Sequence, residues 1–189
     1  MAVNSERYEK AIRQNLAELN NAILKRRALI GLHSIDSAHG LDFFRLAAHA
    51  LYNDIISHTV KVFEDSSDVA SFWYIVKTNE AAIKIALKTT NASLDKIEEL
   101  SKVFKHIRDK VHFHIDKEAI LNPSEVWVTA DITGDELGFL LETSFNILSA
   151  LNKELTGELI ELPDYDGKDA AEIIRCYAKH NPNSNIAII

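Results

Sequence analysis

Residues 108–116 read Arg-Asp-Lys-Val-His-Phe-His-Ile-Asp, and the rest of the chain can be read outward from them. They lie in a helical pattern running from about Asn91 to Glu118. At about 100° per residue, Ile97, Leu100, Phe104, Ile107, Val111 and Ile115 share one stripe, which is an ordinary core face. Arg108 sits on its border, and His112 follows one turn later on the same side. His114 points back into the apolar stripe, about 120° round from Arg108. Phe113 points towards the polar face, where a bare surface would not favour it. The helix therefore needs a second neighbour here, either another helix or another subunit.

The surrounding sequence is helical in character. With 6 Gly and 3 Pro among 189 residues, it suits long helices with short connections, and 47% hydrophobic residues are enough for a proper core. Ser5 is placed to cap a first helix to about Gly31, with Leu16, Leu19, Ile23 and Ile30 on its apolar face. Asp42 is placed to cap a second helix to about Glu64, with Leu46, His49, Ala50, Asn53, Ile56 and Val60 near one side. Ser67 or Asp68 can cap a short helix holding Phe72, Trp73, Ile75 and Val76. Asn79 opens another, and Asn91 or Ser93 caps the helix that carries the motif. Pro123 ends that region. Residues 125–132 are rich in β-branched and aromatic side chains, but are too short and solitary for a sheet, so one extended connection is expected there. Thr133-Gly-Asp-Glu136 is a capping box before a helix to about Glu154. Pro163–Gly167 is a linker, and Lys168–His180 is a last helix. The expected architecture is all-α: about four main helices plus short ones. Residues 1–160 form the helical domain, and 161–189 form a C-terminal helix and tail packed on it.

Several function classes are disfavoured. No segment of 18 apolar residues is present, so no membrane span is expected, and the charged first 25 residues are unlike a signal peptide. The single Cys176 excludes an internal disulfide, which fits a cytoplasmic setting. A net charge of −7 argues against a large nucleic-acid surface. From Lys102 to Lys117, however, five cations stand against two anions, with three histidines besides. Taken alone, such a run fits a solvated helix face. His112 and His114 diverge by about 200° on a helix, so no metal site is expected there. His49 and His58 read as packing or hydrogen-bonding residues. No cofactor-binding motif is present.

The motif resembles the signature of the HEPN superfamily, an Arg, four to six residues, then a His; here Arg108 and His114 are separated by five. It is closest in form to the AbiU2-like branch, whose run reads about Arg-Asn-Lys-x-x-Ala-His-x-Asp. Arg108, Lys110, His114 and Asp116 are in register, while Asp109 replaces Asn and Phe113 replaces Ala. Residues 51–65 also look like that branch's second helix. The resemblance implies a HEPN-like helical bundle, a homodimer and metal-independent cleavage of RNA, as in toxin or phage-defence proteins. It places Arg108 and His114 at the catalytic centre across a dimer groove. Asp109, Lys110, His112 and Asp116 would support them, and Lys102, Lys105 and Lys117 would hold RNA. An antitoxin protein is a candidate partner. The chemistry is consistent, because RNA supplies its own 2′-hydroxyl nucleophile. A His can move protons near neutral pH, and an Arg fork can stabilise charge on phosphorus. Taken singly, His114 fits a satisfied core histidine, and Arg108 fits a surface ion-pair partner. A non-catalytic helical module that binds nucleotide, nucleic acid or protein is the alternative.

Overall fold

The computed structural model describes residues 5–33, 42–107, 109–110, 129–130 and 132–180. Among these are seven α-helices and no strand: α1 Ser5–His33, α2 Asp42–Phe63, α3 Phe72–Thr78, α4 Glu80–Thr90, α5 Leu94–Ile107, α6 Gly134–Thr156 and α7 Lys168–His180. The all-α expectation therefore holds.

The long α1 is the spine, and α2, α3, α6 and α7 all pack against it. Ile12, Leu16, Leu19 and Ile23 recur along its length and are buried at spacings of three and four residues. Leu140, Leu141, Phe145, Leu148 and Leu151 form the matching face of α6. Ile97, Leu100, Phe104 and Ile107 do the same on α5, as the stripe predicts.

Local chemistry sets the ends of these helices. Thr133 and Glu136 form the expected capping box: the Glu136 N–H donates to Thr133 Oγ1 (3.1 Å), and the Thr133 N–H donates to Glu136 Oε2 (3.0 Å). Gly157 ends α6 in the left-handed region at φ 78°, which glycine adopts without a Cβ clash. Asn79 caps α4, as expected. The α3 cap is Ser71, not Ser67 or Asp68: its hydroxyl accepts from the Tyr74 N–H, and Phe72 begins the helix. Asn91 ends α4 in the αL conformation, so of the two caps expected for α5 only Ser93 faces it, accepting from the Asp95 N–H.

The buried face of α2 differs from the expected one. Ile55, Ile56, His58, Thr59, Val62 and Phe63 are buried, whereas Leu46 is 68% exposed and His49 and Ala50 are exposed. Asp42, Arg45, His49 and Asn53 recur at spacings of three and four and mark the outward side of α2, so the buried face lies opposite them. Ile30, near the end of α1, is likewise exposed. Within the expected extended connection at 125–132, Thr129 and Ala130 are helical and Ile132 precedes the α6 cap; residues 125–128 and 131 lie outside the described residues. The pairing with other strands that would hold such a segment extended is absent among the described residues.

The last helix closes onto α1. Ala171 and Ile174 form a small core with Leu32 and Phe44. Gly31 and Gly167 make this approach: a Cβ on Gly31 would strike the Gly167 carbonyl, and one on Gly167 would strike the Arg27 carbonyl. Arg27 Nη1 donates to the carbonyls of Pro163 (3.2 Å) and Tyr165 (3.0 Å), which ties the linker to α1.

Candidate functional site

Arg108, His112, His114, Asp116 and Lys117 lie outside the described residues. The structure does describe the approach to them. α5 is anchored by its four buried apolar residues and ends at Ile107. Asp109 and Lys110 follow in π-helical geometry, with Asp109 exposed and Lys110 half-buried. Single π-helical turns are rare and recur at functional positions.

The polar side of α5 is ordered around Glu98, Ser101, Lys102 and Lys105, whose spacing of three and four places them on one face. This face forms one wall of a groove of about 460 Å³. The end of α2 and α3 supply the rest. Phe63, Trp73 and Val76 give it an apolar lining, and Lys77 comes in from α3. Trp73 stands edge-on to the buried Phe72, with ring centres 5.3 Å apart. Lys102 pairs with Glu98 at 2.6 Å and Lys77 with Asp65 at 2.7 Å. The Lys77 hydrogen bond, with the charges of Lys77 and Lys105, holds the Asp65 carboxyl below its ordinary range. The structure thus brings Lys102 and Lys105, both expected to hold RNA, into one groove. It adds Trp73 and Lys77, which sequence reasoning missed because α3 reaches α5 only through tertiary packing.

A second polar constellation lies between α1 and α2. His58 is 8% exposed. Its Nδ1 is 2.6 Å from Glu18 Oε2, and its Nε2 is 2.7 Å from Lys25 Nζ. A carboxylate can only accept and an ammonium can only donate, so Nδ1–H donates to Glu18 and Nε2 accepts from Lys25. Lys25 also pairs with Asp54, and Lys61 reaches Glu18 at 3.5 Å. Burial alone would raise the Glu18 carboxyl. The His58 hydrogen bond, the charge of Lys61 and a hydrogen bond from Gln14 outweigh it and hold the group below its ordinary value. His58 is therefore a hydrogen-bonding histidine, as expected, and it locks α2 to α1. His49 is exposed and its ring pairs with the Asn53 amide at 3.1 Å. Among the described residues, no group of three or more His, Cys, Asp or Glu side chains is placed to hold a metal ion.

A helical bundle built on long antiparallel-type packing of α1 with α2 and α6, with the Arg–x₅–His sequence directly after α5, defines a HEPN-type protein. The AbiU2 family model matches residues 6–174, from the first turn of α1 into α7, and the chain belongs to that family of abortive-infection type. No curated protein and no solved structure gives a match. No described helix is long and apolar enough to cross a membrane.

Proposed function

We propose that this protein is a metal-independent endoribonuclease that acts as a homodimer, with Arg108 and His114 as its catalytic pair. The observation that carries the reading is the family match across residues 6–174, which includes the Arg–x₅–His run. In this reading, the 2′-hydroxyl attacks the adjacent phosphorus and the bond to the 5′-oxygen breaks. That step requires a base for the 2′-proton and an acid for the leaving oxygen. The family signature gives one catalytic histidine per chain, His114, so two subunits facing each other supply both functions. The Arg108 guanidinium donates to the phosphoryl oxygens as charge builds on them. Asp109, Lys110, His112 and Asp116 support the pair. Lys102, Lys105 and Lys117 hold the flanking backbone. Residues 1–160 form the HEPN-like domain, with 161–189 packed on it, in a cytoplasmic protein regulated by an antitoxin partner.

Lys102 and Lys105 of the α5 groove support the RNA reading, because they stand six and three residues before Arg108 in the sequence and can give a phosphate a local cation in a chain of net charge −7. The test is incubation of purified protein with total RNA, with and without chelator. Cleavage that persists in EDTA is the expected result. Loss of cleavage in EDTA, restored by one divalent metal, would contradict the proposed chemistry. Absence of cleavage under every condition would favour a non-catalytic binding module.

A further inference from the structure

The groove between the end of α2, α3 and α5 combines two features. Its lining is apolar and aromatic, through Phe63, Trp73 and Val76, and its lysines come from two opposing walls: Lys77 from α3, Lys102 and Lys105 from α5. Its volume, about 460 Å³, falls in the range of small-ligand sites, roughly 300–1,000 Å³. Two other grooves of similar volume, one against the start of α1 and one between α4 and α6, have no aromatic side chain in their lining. An aromatic face beside several cations suits a nucleotide. The base has a π-face to lay on an indole, and the phosphate carries the charge that lysines neutralise. Asp65 and Glu98 lie in the same groove and already hold Lys77 and Lys102. An incoming phosphate therefore competes for cations that are gathered there and loosely held at an exposed rim.

We propose that this groove binds one nucleotide of single-stranded RNA, its base against Trp73 and its phosphates on Lys77, Lys102 and Lys105. The proposal rests on the ribonuclease reading for its substrate. It adds a base-binding position at Trp73 of α3, across from Lys102 and Lys105, which stand six and three residues before Arg108 in the sequence. Base stacking would make the position tolerant of sequence.

The test measures binding apart from cleavage, using a fluorescein-labelled RNA hexanucleotide with 2′-O-methyl riboses, which lacks the nucleophile. The wild type should bind it, with affinity falling as salt rises. Joint replacement Lys102→Gln and Lys105→Gln, on exposed side chains, should weaken binding about tenfold or more. It should also flatten the slope of log K against log salt by about 1.4, at about 0.7 for each lost contact to a single strand. Trp73→Leu should cost about 5- to 150-fold, and Trp73→Phe, which keeps a ring, should cost little. The proposal is overturned if the wild type does not bind the hexanucleotide, if the double variant binds with the same affinity and slope, or if an acidic peptide of equal charge binds as tightly. Cleavage of unmodified RNA is scored separately. Binding through the groove without any cleavage would remove the nuclease reading and keep the subsite. Cleavage and binding both unchanged in the double variant would do the reverse.

Discussion

His58 shows what a single side chain does in this fold. It is buried between α1 and α2, with a carboxylate on one ring nitrogen and an ammonium on the other. Leaving such a buried group half-satisfied costs more than the hydrogen bond contributes when made. Glu18 is the informative partner, because its carboxyl is held below its ordinary value of 4.5. The native state therefore binds the Glu18 proton less tightly than the unfolded chain does. That contribution to stability is complete above pH 4.5 or so and is lost as pH falls through the lower, folded value. Glu18→Gln should lower stability by about 1–3 kcal/mol at pH 7. The gap to wild type should narrow as the pH is lowered below 4.5. Denaturant melts at several pH values check this, and a gap independent of pH would contradict it. None of this was legible locally, since Glu18 and Lys25 lie 40 and 33 residues from His58.

Helices were legible where one stripe or one cap dominated. The α5 stripe from Ile97 to Ile107 and the Thr133 capping box appear where the sequence places them, because spacing and side-chain reach decide both; Val111 and Ile115 of that stripe lie outside the described residues. Thr133→Ala should cost about 1 kcal/mol, seen as a lower melting midpoint with unchanged cooperativity. Thr133→Ser should restore most of it, and an alanine variant as stable as wild type would show that the cap does not hold α6. The expected face of α2 was wrong: Phe43 and Leu46 are 74% and 68% exposed, on the side where Asp42, Arg45 and His49 recur, while polar His58 and Thr59 are buried. Thr59 is satisfied within its own helix, its hydroxyl donating to the Ile55 carbonyl at 2.8 Å, so its burial needs no partner that a hydrophobic count would register. The groove was half legible: the cations of α5 are visible in sequence, but the Trp73 wall is assembled only when the bundle forms.

On the scale of the whole molecule, the proposed site takes His114 from each of two chains and so predicts a dimer. Light scattering should give roughly twice 21.2 kDa at micromolar concentration. A strictly monomeric particle would remove the composite site. Ile30, Phe43, Leu46 and Ile173 are each more than half exposed, and the proposed dimer would have apolar surface to cover there.

The proposed cutting of RNA by Arg108 and His114 is decided by thermal melting and fluorescent RNA cleavage on wild type, His114→Ala, Arg108→Ala and Arg108→Lys. His114→Ala should melt like wild type with cleavage abolished. Cleavage should fall about 10²–10³-fold in Arg108→Ala, and Lys at 108 should recover little because it cannot donate through a planar fork. A core role for His114 predicts the opposite pattern, a stability loss of about 1–3 kcal/mol with cleavage in the folded fraction intact. A wild type that cuts no RNA, or a His114→Ala protein that cuts as well as wild type, would rule out these catalytic roles.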